Sequence, residues 1–204
     1  MPGVLAHEGR ARVSAIILFC CWATTPAGGA PLSNVLRVSL TAVPTELRVG
    51  EALALSAVIE NVSAQTVTID SRRSVYTVGY LKVYDDLGVQ LDGFRTAIFA
   101  VTPPSAADFT ALNPGGRFVI RVTGELKNGI VHSVEGRRNE GLRHHGLFLD
   151  FEDSAIPLPA TGPYHIGFTF ETMREWSVEA QGLFALRNVW FGSVTSPRVT
   201  IVVR

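Results

Sequence analysis

The clearest feature of the sequence lies in residues 36–63, where two runs of alternating positions are separated by a Pro turn, a short extended piece and a Gly turn. A β-strand places successive side chains on opposite faces, whereas a helix groups its apolar residues three and four apart. The period of two therefore predicts strands with one buried and one solvated face. Pro44 and Gly50 divide the segment into extended pieces, and Asn61 begins the turn that ends it.

The same alternation recurs along the rest of the chain, between turns that contain Gly, Pro or Asn. About eight short strands at this spacing predict an all-β fold, an immunoglobulin-like antiparallel β-sandwich, rather than βαβ units. Tyr164, just inside a strand after Gly162, is typical of the tyrosine corner of such sandwiches. Five residues on apolar strand faces are expected to be buried: Leu55, Val83, Ile120, Phe168 and Ile201.

The residues of several segments between the strands predict a particular local structure. Residues 85–88 predict a hairpin turn with a glycine at its last position. Ser105, answered by Asp108 three residues later, predicts one helical turn. The polar stretch 124–145 is expected to be a solvated loop, and 173–186 to hold a short amphipathic helix.

The first thirty residues differ from the rest and predict a secretory signal peptide over 1–30, followed by a single domain over 31–204. Arg10 and Arg12 precede a short apolar run and then small residues, which is the order a signal peptide has. The run is shorter than the ~20 apolar residues that span a bilayer. We therefore expect a secreted or periplasmic protein, with a retained N-terminal anchor as the alternative.

Details of the N-terminus stay open. Cleavage after Ala27 and cleavage after Ala30 both fit the small-residue zone. Both cysteines, Cys20 and Cys21, lie inside the apolar run, so lipidation is a minor alternative. A chain cleaved after them has no disulfide, although disulfides persist in extracytoplasmic compartments. The fold is then expected to rest on its hydrophobic core.

The charge balance excludes some partners. Eighteen Lys and Arg offset eighteen Asp and Glu, so the formal net charge is zero. A nucleic-acid binder needs a basic surface that neutralises phosphates, and a peripheral membrane protein often carries a polybasic segment. Neither class is expected.

Three turn segments carry a resemblance to a known family. They are TELRVGE at 45–51, the DF pair at 108–109 and LNPG at 112–115, with strand segments around them and VWFGSVTSPRVTIVV near the end of the chain. In this order they resemble the N-terminal, non-catalytic sandwich region of secreted metalloendopeptidases of the deuterolysin, or aspzincin, type. The resemblance does not extend over roughly 124–160.

The catalytic zinc motif of those peptidases is not in this sequence. It is His-Glu-x-x-His, with two histidines on one helix face and a glutamate base. The resemblance therefore implies an accessory domain without zinc or peptidase activity. We expect a non-enzymatic module, without a cofactor, that binds a protein or peptide, including a protease.

A local excess of positive charge suggests where binding occurs. Loops on a rigid sandwich commonly carry recognition, and a basic loop in a chain of balanced charge favours an acidic partner. Histidines in the loop would make binding depend on pH. The expected binding residues are Arg137, Arg138, Arg143, His144 and His145.

Metal chemistry offers an alternative function, a metal-dependent hydrolase that uses the His-rich loop. Its candidate ligands have no metal-site spacing, and adjacent residues in a strand point in opposite directions. They are His132, His144, His145 and His165. A calcium site on oxygen ligands is a further alternative, although a solvated strand end is favoured for these carboxylates: Asp150, Glu152 and Asp153.

Aromatic residues near the end of the chain suggest a carbohydrate-binding module as another alternative. Exposed rings in a row can stack on sugars, but rings that close one end of the sandwich are favoured. The residues are Trp176, Phe184, Trp190 and Phe191. Asn61-Val62-Ser63 also matches the acceptor pattern for N-glycosylation, which matters only in a eukaryotic secretory pathway.

Overall fold

The structure is a computed structural model that describes residues 35–72, 80–97, 105–134, 143–172 and 182–204. They belong to one compact unit, Pro31–Arg204. Its strands, numbered along the chain, are β1 (Leu36–Val43), β2 (Glu46–Leu47), β3 (Ala52–Asn61), β4 (Val67–Asp70), β5 (Leu81–Tyr84), β6 (Gln90–Leu91), β7 (Phe94–Arg95), β8 (Phe109–Leu112), β9 (Arg117–His132), β10 (Arg143–Phe151), β11 (Ser154–Leu158), β12 (Gly162–Thr172), β13 (Gly192–Thr195) and β14 (Val199–Val203).

Two sheets pack face to face. The first has the order β1-β3-β9-β10-β11-β7, and the second has the order β2-β14-β12-β5-β6 with β13 beside β12. A two-stranded ribbon of β4 and β8 adds its buried apolar side chains to the same hydrophobic core. Apolar side chains from all three form one cluster, as the inner faces of a sandwich do. The predicted all-β sandwich is confirmed.

The consecutive strands β1 and β2 belong to different sheets. β1 pairs with β3 in the first sheet, and the chain then crosses at Val43–Pro44, whose peptide bond is cis. β2 pairs in parallel with the last strand, where Leu47 lies opposite Val203 and is fully buried. The two sheets are therefore joined at one side by a short covalent connection.

The core follows the alternation. In β1 every second residue is buried and the others are exposed. The five residues predicted to be core are 0–6% exposed, so their strand faces are confirmed: Leu55, Val83, Ile120, Phe168 and Ile201. These residues lie in five different strands, so the predicted buried face is correct in each of the five.

The tyrosine corner is present. The hydroxyl of Tyr164 donates a hydrogen bond to the backbone carbonyl of Ala160 at 2.6 Å, and the amide of Ala160 lies 3.3 Å from the same oxygen. The ring itself is 3% exposed. This confirms the prediction from the Gly162–Tyr164 spacing and fixes the chain where it enters β12.

The predicted turns also form. Ser105 precedes a 3-10 turn, Ala106–Asp108, and its amide donates to the Asp108 carboxylate at 2.6 Å. Gly88 ends the hairpin turn after β5 with a φ of +80°, which a glycine adopts without steric cost.

Asn61 closes the turn at the end of β3 from inside the protein. It is 0% exposed, and its side-chain amide donates to the carbonyls of Gln65 at 2.7 Å and Leu112 at 2.8 Å. Its side-chain oxygen accepts from the amide of Ser63 at 3.0 Å. All of its side-chain donors are used, so this turn is tied to the end of β8.

The prediction of a solvated loop over 124–145 is wrong for the part that the structure describes. β9 continues to His132, and β10 begins at Arg143. The two strands pair without interruption from Gly124–Phe151 to His132–Arg143. Backbone hydrogen bonds between strands do not depend on side-chain polarity, so a polar sequence with a neighbouring strand remains a strand.

Of the helix predicted over 173–186, the structure describes only 182–186, where 182–184 are helical. Within the described residues, no helix has the length and apolar character needed to cross a membrane.

Candidate functional site

The end of the β9–β10 hairpin extends beyond the hydrophobic core. Leu126 and Leu149 lie opposite each other in the ladder and are both fully buried. Leu147, one step further, is half-buried and packs against the same core. Ile130 is 59% exposed. The hairpin therefore leaves the core near Leu147 while its backbone pairing continues.

Four exposed side chains share one face of this extension. Residues directly opposite in an antiparallel ladder point to the same side, and so do residues two apart in one strand. Arg143 lies opposite His132, and His145 lies opposite Ile130. All four are exposed. We call this set, Ile130, His132, Arg143 and His145, the hairpin face.

His144 lies on the opposite face of the hairpin from His145. Its Nε2 is 2.9 Å from the carbonyl oxygen of Leu147, and its ring meets Phe148 edge-on at a centroid distance of 6.4 Å. It is only partly exposed. The predicted binding residues His144 and His145 are thus separated by the alternation of the strand, and only His145 belongs to the hairpin face.

A second apolar cluster supports the hairpin from the His144 side. Phe148 and Ala155 are buried against Phe94 of β7, and Val131 packs on them. The amide of Val134 also donates to the carbonyl of Arg95 at 2.9 Å. Both strands of the extension are therefore fixed to β7 and β11, and the hairpin face is presented on a packed support.

The hairpin face is positively charged and has no internal counter-ion. Among the described residues, the side chains of Arg143, His132 and His145 have no hydrogen-bond or ion-pair partner, whereas their backbones are paired in the ladder. A guanidinium in this state keeps all its N–H donors for a ligand. Arg137 and Arg138, the other two predicted binding residues, lie outside the described residues.

The histidines do not form a metal site in the part of the chain that the structure describes. No group of three or more His, Cys, Asp or Glu residues there has the arrangement to hold a metal ion. His165 lies in the second sheet, where its Nδ1 is 3.0 Å from the hydroxyl of Thr200. The four candidate ligands are thus divided between two sheets.

Two of the three carboxylates considered for calcium, Asp150 and Glu152, line a shallow groove of about 490 Å³ on the first sheet. Asp150 is paired with the ammonium of Lys127 at 2.6 Å, and Asp153 accepts from the hydroxyl of Ser154 at 2.7 Å. The hydrogen bond to Asp150 raises the pKa of Lys127. The groove thus contains its own cation beside Asp150.

The structure shows the surroundings of some of the aromatic residues considered for sugar binding. Trp190 is 2% exposed and stacks on Phe170 at a centroid distance of 5.4 Å, so it is part of the core. Phe184 lies 6.0 Å from Phe109, ring centre to ring centre. Trp176 lies outside the described residues. Trp190 therefore offers no ring face for a sugar.

Sequence reasoning did not assign Ile130 to the binding surface. Its place follows from the alternation Leu126, Asn128, Ile130, His132, which continues the core-facing side of β9 past the end of the core. The high polarity of this stretch concealed that alternation.

Comparison with protein-family models gives no match for this sequence, and comparison with curated proteins gives none either.

Proposed function

We propose that this chain is an exported, non-catalytic binding module that recognises an acidic segment of a protein or peptide through the hairpin face. The observation that carries the proposal is the exposed Arg143, with His132 and His145 beside it and no carboxylate bound to any of them among the described residues. An unpaired positive surface on a packed hairpin favours a negatively charged ligand.

Each residue has a defined role in this proposal. Arg143 binds a carboxylate through paired N–H donors, a geometry that lysine does not provide. His132 and His145 donate further hydrogen bonds from either side of it. Ile130, 59% exposed, gives an apolar contact next to the charges. Recognition surfaces commonly combine an apolar contact with arginine in this way.

The resemblance to a peptidase accessory region supports a protein partner, with a protease as one form of it. The predicted signal peptide supports an extracytoplasmic setting, either secreted or periplasmic.

The test compares two triple variants of the full chain. The first replaces His132, Arg143 and His145 by Ser, and the matched control replaces three exposed arginines elsewhere, Arg48, Arg121 and Arg187, by Ser. Exposed substitutions usually change stability by less than ~0.5 kcal/mol, so both variants should melt close to the wild-type temperature.

Each variant is immobilised and exposed to the native extracytoplasmic fraction, and the protein retained by the wild type is identified and titrated. We expect the hairpin variant to bind it at least about tenfold more weakly, and the control to bind it like the wild type. Wild-type affinity should also fall as salt rises, because exposed charges are screened. Equal binding by both variants would place the site elsewhere.

A further inference from the structure

The outer face of the second sheet carries a group of side chains that the proposed function does not use. Tyr84 of β5, His165 of β12 and Thr200 of β14 lie side by side across three neighbouring strands. Gly167 is two residues along β12 and opposite Lys82. Arg198, just before β14, extends over this glycine toward Tyr84.

Arg198 and Tyr84 form a stacked pair. The guanidinium carbon lies 3.5 Å from the centre of the Tyr84 ring, well inside the ~6 Å range of a cation–π interaction. A Cβ on Gly167 would lie 3.8 Å from Cγ of Arg198 and 3.9 Å from Cε2 of Tyr84. A methyl group at this position would therefore make ordinary contact with both residues, whereas a larger side chain would extend into the space under the pair. We call Arg198, Tyr84 and Gly167 the guanidinium platform.

The backbone beside Arg198 is fixed. The amide of Ser196 donates to the carbonyl of Phe168 at 2.8 Å, and the hydroxyl of Ser196 accepts from the amide of Phe168 at 3.0 Å. Ser196 is 6% exposed. The backbone next to Arg198 is thus held by hydrogen bonds, and its guanidinium is held by the Tyr84 ring. Less conformational entropy is therefore lost when a ligand binds.

Stacking leaves the hydrogen-bonding capacity of the guanidinium unused. The ring contacts its flat face, whereas its N–H groups lie in its plane and point outward at its edges. Among the described residues, Arg198 has no carboxylate or carbonyl partner.

Three carboxylates in or next to this sheet are too distant or already engaged. Glu46 is paired with Arg204 at 2.8 Å. Asp85 accepts the amides of Leu87 and Val89 within its turn. Glu171 lies four residues along β12 from Gly167, about 13 Å at the usual rise of a strand.

We infer that the guanidinium platform is a second binding site, which takes the carboxylate of an Asp or Glu side chain in an exposed segment of a partner protein. The charge of Arg198 selects an anion, and the two parallel donors of its guanidinium fit the two oxygens of a carboxylate. The ring of Tyr84 gives the partner chain an apolar contact. The site is in a different sheet from the hairpin face and does not depend on the proposed function.

The test follows the Nε–H signals of arginines by NMR during titration of the full chain. The probe is the capped tripeptide acetyl-Ala-Glu-Ala-amide, and its Gln counterpart is the matched uncharged peptide. We expect a saturable shift at Arg198 with the Glu peptide only, while the exposed Arg121 and Arg187 change little. Equal shifts at all three arginines, or equal shifts with the Gln peptide, would overturn the assignment.

Variants distinguish binding by the guanidinium platform from simple attraction to an exposed positive charge. Arg198→Lys keeps the charge but loses the planar fork, and Gly167→Val fills the space under the stack while suiting a strand. Each should weaken Glu-peptide binding by about threefold or more, and Gly167→Ala should leave it unchanged. Unchanged binding in Arg198→Lys would contradict the site. Tighter binding of inorganic phosphate than of the Glu peptide at Arg198 would show that a carboxylate is the wrong ligand.

Discussion

At the scale of single residues, Tyr164 connects a hydrogen bond to the stability of the fold. Burial raises the pKa of its hydroxyl, and the hydrogen bond with the backbone of Ala160 opposes part of that rise. The folded state thus holds the tyrosine proton more tightly than the unfolded chain does. The unfolded pKa is about 10, and the folded pKa is higher. Between these two values the unfolded state has lost a proton that the folded state keeps. The free energy of unfolding therefore falls as the pH rises through this range.

The variant Tyr164→Phe tests this prediction. At neutral pH it should cost about 0.5–1.5 kcal/mol, because the hydrogen bond to the Ala160 carbonyl is lost. As the pH rises above the unfolded pKa, about 10, the wild type should lose more stability than the variant, since the variant has no hydroxyl to titrate. Urea unfolding at a series of pH values measures both effects. Parallel pH profiles for the two proteins would show that Tyr164 does not titrate with folding.

At the scale of elements, the β9–β10 ladder requires a glycine at one position. Phe151 lies opposite Gly124, and a Cβ on this glycine would lie 2.6 Å from Cε1 of the Phe151 ring. Phe151 is 3% exposed, so the ring has little room to move. The close approach of ring and glycine therefore sets the packing of the two strands at the core end of their ladder.

Gly124→Ala should destabilise the protein by ~1–3 kcal/mol, because the added methyl group overlaps a buried ring. The matched control is Gly129→Ala in the same strand, where a Cβ meets nothing within 4 Å. The control should be unchanged or slightly more stable, since alanine restricts the unfolded chain. Chemical denaturation of both variants measures the difference. Equal stabilities would mean that Phe151 has another position available.

The same ladder shows what could be predicted from the sequence. The strands with one buried face were predicted correctly, because alternation reports burial directly. In β10 both Phe148 and Leu149 are buried, since a second cluster covers the outer side, and alternation cannot report two buried faces. The loop predicted over 124–145 failed for a related reason: pairing with β10 extends β9 beyond the core, where no apolar pattern is needed.

The candidate site was predictable only in part. That His144 and His145 point in opposite directions follows from the alternation of any strand. The register between β9 and β10 places Arg143 opposite His132 and His145 opposite Ile130. Register is set by turn geometry and by contacts with distant residues such as Phe94, which no local pattern contains. The guanidinium platform likewise joins residues more than a hundred positions apart.

At the scale of the whole molecule, one core holds the two sheets and the ribbon together. Phe168 and Ile201 lie in the second sheet, are 1% and 0% exposed, and belong to this core. Truncating a large buried apolar side chain usually costs ~2–5 kcal/mol. Both cysteines precede the described residues, so the cohesion of the described sandwich rests on this packing.

Phe168→Ala and Ile201→Ala should therefore each lower the melting temperature by several degrees. Leu87→Ala is the control, because Leu87 is 83% exposed at the tip of a hairpin turn. Thermal unfolding followed by circular dichroism compares the three. A melting temperature close to the wild-type value in both core variants would contradict the packing of the two sheets.

The burial of Asn61 has a consequence for how the protein can be produced. In a host with an N-glycosylation pathway, the transferase acts on the chain as it emerges, before the side chain of Asn61 has bonded to Leu112 at the end of β8. A sugar on this amide would occupy a site that is 0% exposed and would remove a donor from the bonds to Gln65 and Leu112. Such a host would divide the nascent chains into two populations, and only the unmodified one could close this turn.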